Sequence, residues 1–339
     1  MKSTILSING LEKDASTEQF KAFEADLQEA AAKWFRKHGH PVRKDMDSSI
    51  SEPNLWHHNI ILPEVAKLIS ITASTWKRRL PGVASRFENT LHYGLSSHAL
   101  AFNLLGPLVV RKDLAPIKAA FEAVGGRGQW NELYAYFEAH DRKVFNELAG
   151  TPACLDFAIT GNGIGLFMDV LFTQSGFGGC PHIQDGSCDG KNPCSFGKIT
   201  ECALTRSGNT LWTRMEQWEM SEATRIDGDT CPFANFYSFF QNLLFSLVND
   251  GVYILITDER NPLFVQRDAK GNLIGGLCKQ LSESLPRHIW TRVGAFTIQD
   301  LVRAIEKTGR HGDWIQEFKD KYGIKQERNQ SYERIHTAR

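Results

Sequence analysis

Two apolar runs, Ala153–Thr160 and Gly165–Thr173, flank the turn Gly161-Asn162-Gly163. Asn-Gly between two such runs is a strong hairpin signal, because both residues tolerate the positive φ that a tight turn needs. The chain is therefore expected to pair two buried strands here. Each strand carries one carboxylate among apolar neighbours: Asp156 in Cys-Leu-Asp-Phe-Ala-Ile, and Asp169 in Phe-Met-Asp-Val-Leu-Phe. An acid in a buried strand is costly unless it is paired or holds a cation. Two acids on adjacent strands can face one another and bind a hard divalent ion through oxygen, with water completing the shell. Such an ion can activate water and neutralise charge on a phosphodiester. The plainer reading is two aspartates satisfied by backbone or arginine donors.

Helical patterns surround the hairpin. Ser16 to Gly39 carries Phe20, Phe23, Leu27, Ala31 and Trp34 at spacings of three and four, the mark of one buried stripe. A second helix is expected from Pro63 to Arg79, stopped by Pro81-Gly82. A largely buried helix is expected within Arg86–Val110, ending at Gly106-Pro107. Leu114–Val124 reads as a short helix. Asn235–Val248 reads as a helix with Phe236, Phe239, Phe240, Leu243, Leu244 and Leu247 on one side. Val252–Thr257 is apolar and β-branched, hence a strand. Arg287–Thr291 reads as an edge strand or turn. Thr297 caps a helix over Ile298–Lys307, and a charged helix and tail close the chain.

Charge and cysteine content narrow the classes. The 39 Lys+Arg balance 39 Asp+Glu, which excludes a polybasic coat protein. No stretch approaches the roughly 18 apolar residues of a membrane span, and no signal peptide is evident, so a cytoplasmic protein is expected. Four cysteines, Cys180, Cys188, Cys194 and Cys202, follow C-x7-C-x5-C-x7-C, and Cys231 lies beyond. In a cytosolic chain this clustering suggests a structural zinc or an iron–sulfur cluster rather than disulfides. The spacing is not that of a zinc ribbon, and a loop of reduced thiols is the alternative. Cys154 and Cys278 read as core residues. His57-His58 reads as surface or capping, and the adjacency of Ser96, Ser97 and His98 makes no triad. Trp212 and Trp218 read as core. Lys77-Arg78-Arg79 beside Trp76 is a short basic patch able to touch phosphates.

The run Leu95-Ser-Ser-His-Ala-Leu-Ala-Phe-Asn-Leu-Leu-Gly-Pro107 resembles a motif of restriction-endonuclease-related proteins in the PD-(D/E)XK superfamily. Met168-Asp169-Val170-Leu171-Phe172-Thr173-Gln174, Ser175–Gly178, Asn235–Asp250 and Asn261-Pro262 extend the likeness, which spans roughly Arg86 to Ile305. It implies an α/β fold, with a PD-(D/E)XK nuclease-like central mixed sheet flanked by helices. It implies a helical N-terminal extension (1–85), a core (86–308) with a Cys-rich insertion (180–231), and a charged C-terminal helix and tail (309–339). It further implies a nuclease that hydrolyses DNA in restriction or phage defence with Mg2+ or Mn2+. Asp156 and Asp169 would be the metal ligands, and the Val170 carbonyl a third. Glu88 would be a further ligand from the preceding helix, against its plainer reading as a solvated surface residue. The family lysine falls at Leu171 and the trailing glutamate at Gln174, which leaves Gln174 in a catalytic position. That lysine orients the attacking water and offsets negative charge, and leucine does neither. Lys191 or Lys198 could take over its role. Alternatively the chain uses metal alone, or it is an inactive member that binds nucleic acid or a protein partner. A third reading is an interaction protein stabilised by a Zn or Fe–S site. DNA is the expected ligand, and a homo-oligomer or a defence-system partner the expected assembly.

Overall fold

The computed structural model describes residues 13–220, 229–267, 273–277 and 285–325. The first helix, α1 (Lys13–Lys37), starts three residues before the expected Ser16. It ends in a turn where Gly39 takes φ +62°, a conformation that costs glycine little. Its stripe Phe23, Leu27, Ala31 and Trp34 is buried. A 3-10 turn (Pro53–Asn59) leads to α2 (Pro63–Arg79), whose limits match the sequence pattern.

The next helix differs from expectation at both ends. α3 runs Ser97–Val110, and the Ser96 hydroxyl accepts the Ala99 N–H at 3.2 Å as its cap. Residues 86–96 form turns instead. Gly106 and Pro107 lie inside α3 rather than ending it. Burial explains this: every residue from Ala99 to Leu108 is buried, and packing outweighs the one hydrogen bond that a proline removes. A Cβ on Gly106 would stand 2.7 Å from Val65 Cγ1, so this glycine lets α3 approach α2 closely. α4 (Ala115–Ala123) follows.

The sheet holds five strands: β1 (Tyr134–His140), β2 (Cys154–Gly161), β3 (Ile164–Leu171), β4 (Val252–Thr257) and β7 (Val293–Thr297), in the order β1-β2-β3-β4-β7. β1–β2 and β2–β3 are antiparallel, whereas β3–β4 and β4–β7 are parallel. The expected hairpin is β2–β3, closed by Asn162 and Gly163, with Gly163 at φ +80°. A small two-stranded sheet pairs β5 (Gln266–Arg267) with β6 (Leu273–Gly275). Two sheet strands, β1 and β7, escape the sequence reading. Residues Arg287–Arg292 form a 3-10 turn that delivers the chain into β7.

Both faces of the sheet are buried. Phe157, Met168, Val170, Ile254 and Ile256 pack into one layer with α1, α2, α3, α4, α9 (Ile298–Lys307) and α10 (Gly312–Tyr322). Phe167, Leu171, Tyr253 and Leu255 pack into the other. There they meet α8 (Phe233–Val248) and three short helices, α5 (Pro181–Gln184), α6 (Ala203–Arg206) and α7 (Leu211–Gln217). Phe23 of α1 meets Phe172 edge-on, with ring centroids 6.4 Å apart, so α1 shares the core of the sheet. Thr297 caps α9 through a reciprocal capping box with Asp300. Among the described residues, no helix is long and apolar enough to cross a membrane.

Candidate functional site

The hairpin carries its two aspartates into one buried spot. β2 holds Asp156 and β3 holds Asp169, at 5% and 7% exposure. The Val170 N–H donates to Asp156 Oδ2 at 2.9 Å. Asp169 Oδ2 accepts from Asn242 Nδ2 of α8 and from the Tyr253 hydroxyl of β4, each at 2.6 Å. Alternation along β3 explains the second set. Phe167 and Leu171 face α8, so the residue between them in that register faces it too. In each carboxylate Oδ2 is anchored, and Asp156 Oδ1 faces the Arg86 guanidinium at 3.5 Å.

Three further groups join this pair. Glu138, on β1, is buried and takes φ +56°, an uncommon angle for a non-glycine residue. His98 Nε2, Asp156 and Glu138 each present a ligand atom within 4.8 Å of the others. His98 Nδ1 bonds the Thr90 hydroxyl at 3.1 Å, while the buried Nε2 has no hydrogen-bond partner. Nε2 stands 3.8 Å from Asp156 Oδ1. The guanidinium of Arg86 bonds the Cys154 carbonyl and lies 3.5 Å from Asp156 Oδ1.

The charges are poised rather than cancelled. Burial, then repulsion from Asp156, lifts the Glu138 carboxyl to about 7, against the pull of Arg86. Burial and repulsion from Asp156 lift Asp169 to about 6, against its hydrogen bonds from Tyr253 and Asn242. Asp156 is raised by burial, opposed by Arg86 and the Val170 N–H. His98 is driven down to about 3 by burial and by Arg86, so its ring is neutral. A neutral imidazole beside the carboxylates of Glu138 and Asp156, with a buried nitrogen lacking a donor, is a donor set suited to a divalent metal.

Two recesses flank the spot. Glu138 lines a groove of about 1210 Å3 along the sheet edge, with Arg79, Lys112, Lys118 and Arg310 on its walls and Trp130 and Tyr136 beside them. His98 lines a smaller hollow of about 410 Å3, where the acid Glu24 is the one charged residue.

The remaining sequence candidates fall elsewhere. Glu88 gives its oxygens to Lys77 at 2.7 Å and Ser85 at 2.6 Å, a local surface pair and not part of this cluster. Gln174 lines the smaller hollow, but its Oε1 is taken by the Phe172 N–H at 2.6 Å. Leu171 is buried in the layer beneath α8 and brings no charge to the position of the motif lysine. Lys191 and Lys198 pair with Asp189 and Glu201 at the surface around the cysteines. Cys180, Cys188 and Cys202 line one cavity, together with Cys231 but without Cys194. Cys154 and Trp212 are buried, Trp218 is partly buried, and Cys278 lies outside the described residues. The His57 and His58 rings lie 4.3 Å apart, tilted by 37°, near the surface.

The sequence reading missed Arg86, Glu138 and the role of His98. One signal was present: Tyr134, Tyr136, Glu138 and His140 alternate with Ala135, Phe137 and Ala139, the two-residue period of a strand. Nothing in the sequence around Arg86 points to the site.

The chain thus presents buried acids on neighbouring strands of a mixed sheet, beside a basic groove. A family model described as "Restriction Endonuclease associating with ARP" matches residues 28–323, and the chain belongs to this family. No curated protein and no solved structure matches it.

Proposed function

We propose that the protein is a metal-dependent DNA endonuclease of PD-(D/E)XK type, acting in restriction or phage defence. The observation that carries this reading is the convergence of Asp156, Glu138 and the unpartnered Nε2 of His98, with Asp169 as a repelling neighbour. Asp156 and Asp169, one on each strand of the hairpin, would be the acids of the motif. His98 Nε2, Asp156 Oδ1 and a Glu138 oxygen would hold the ion, and Asp169 would share it or bind its water. The Val170 N–H anchors Asp156, and the Val170 carbonyl remains the fourth candidate donor. An imidazole among the ligands favours Mn2+ over Mg2+. When bound, the metal supplies an activated water and a counter-charge for the phosphate.

Arg86 takes the place that the motif gives to lysine. It stands beside Asp156 and is always charged, so it can offset negative charge growing on phosphorus. It cannot act as a base. DNA would lie in the groove along β1, because its walls carry four cations against Asp113 and Glu138. Exposed Tyr134 and Tyr136 offer faces on which bases can stack. The family description names ARP as an associate, and a protein partner of that kind would complete the system in a cell.

Plasmid and single-stranded DNA, incubated with Mn2+ or Mg2+, test this beside Asp169→Ala and Glu138→Gln. Cleavage by wild type alone, faster with Mn2+, is expected. Absence of cleavage with retained DNA binding would leave an inactive nucleic-acid binder, the reading that Leu171 favours. Equal cleavage by wild type and both variants would sink the site assignment.

A further inference from the structure

Cys180, Cys188, Cys202 and Cys231 line one cavity of about 490 Å3 between the short helices and the start of α8. They come from four separate places in the fold. Cys180 precedes α5, Cys188 sits in the loop after it, Cys202 precedes α6, and Cys231 stands just before α8. The four sulfurs are near enough to feel one another's charge. Cys194 does not line the cavity.

One hydrogen bond to these sulfurs is direct: the Trp212 indole N–H donates to Cys202 Sγ at 3.2 Å. Burial raises the Cys180 and Cys231 thiols, and the nearby backbone of His182, Ile183 and Phe233 opposes that rise. A neutral thiol is a weak acceptor, whereas a thiolate is a strong one. N–H donors around thiolate sulfur are a usual way for proteins to stabilise a metal cluster.

The spacing of the sulfurs is not that of a single zinc. Around one zinc, Zn–S bonds of about 2.3 Å bring tetrahedral sulfurs roughly 3.8 Å apart. Among the described residues, no three of these sulfurs lie within 4.8 Å of one another. A cluster of several irons holds its thiolates further apart, because the metal core lies between them. We infer that Cys180, Cys188, Cys202 and Cys231 hold a [4Fe–4S] cluster. It staples the segment between β3 and α8 onto the base of α8, the helix that carries Asn242 to Asp169.

The test uses the full chain, purified without oxygen and reconstituted with iron and sulfide. Wild type and Cys194→Ser should each carry about four iron and four labile sulfide per chain and show a broad visible charge-transfer band. Cys231→Ser and Cys188→Ser should lose most of both. Two variants guard against misfolding, since Cys188 is only partly buried. If neither folds, the iron and sulfide content of the wild type decides. Stoichiometric zinc in place of iron, or wild type without metal, would overturn the inference. So would a cluster lost in Cys194→Ser but kept in Cys231→Ser. None of these readouts depends on DNA cleavage.

Discussion

Glu138 is the residue on which the electrostatics of the site turn. Its folded value of about 7 lies above the ordinary 4.5, so protonation favours the fold. That stabilisation is complete below 4.5 and is lost as the pH rises through about 7. Asp169 behaves alike, losing its share as the pH rises through about 6. His98 works in the opposite sense. Its folded value near 3 lies below 6.5, so its contribution is present above 6.5 and lost as the pH falls towards 3. Two carboxylates outweigh one imidazole above pH 4.5, so metal-free protein should be most stable near pH 4. Melting temperature against pH checks this, and Mn2+ should remove the alkaline limb. Glu138→Gln should melt a few degrees higher than wild type at pH 8 without metal, yet lose activity. A lower melting temperature would show that Glu138 is already compensated. At Arg86, replacement by alanine should reduce kcat roughly 100-fold or more, by analogy with removal of one charge-stabilising donor. Arg86→Lys should recover part of it with little change in KM. Equal rates in both variants would remove Arg86 from the chemistry.

At the scale of elements, the hairpin was legible from sequence and the far edge strand, β7, was not. Gly161-Asn162-Gly163 and two apolar runs fix β2 and β3 through local rules, and both aspartates follow from them. β7 reads Val-Gly-Ala-Phe-Thr, too short and too rich in small residues to signal a strand. It forms because parallel pairing with β4 buries it. The supports of Asp169 are equally long-range, since Asn242 and Tyr253 arrive from elements more than 70 residues later. No local pattern encodes such a meeting. Tyr253→Phe should raise the Asp169 value further and move the acid limb of the pH–rate profile upwards. An unchanged limb would mean that the hydroxyl serves packing alone. The capping box at Thr297 was legible, because a hydroxyl followed three residues later by an acid is a local signature. Thr297→Ala should cost about 1 kcal/mol in denaturant unfolding.

For the whole molecule, a net charge of zero hides a division of labour. Acids are collected inside the sheet, and cations line the groove at its edge. Arg79 belongs to the basic patch visible in the sequence, whereas Lys77 of that patch is engaged with Glu88. Arg79→Ala with Lys118→Ala should weaken DNA binding and flatten its dependence on salt, by roughly one unit of slope for each phosphate no longer neutralised. Unchanged slopes would place the DNA elsewhere.

The acids and their cation travel on different carriers. Glu138, Asp156 and Asp169 ride on three neighbouring strands, a single rigid frame. Arg86 arrives on the turns between α2 and α3, held to that frame by the Cys154 carbonyl and by Asp156. The centre thus works as an interlock: its charge balance exists only while the helical layer is seated on the sheet. Anything that lifts those turns disarms the site without disturbing a single strand.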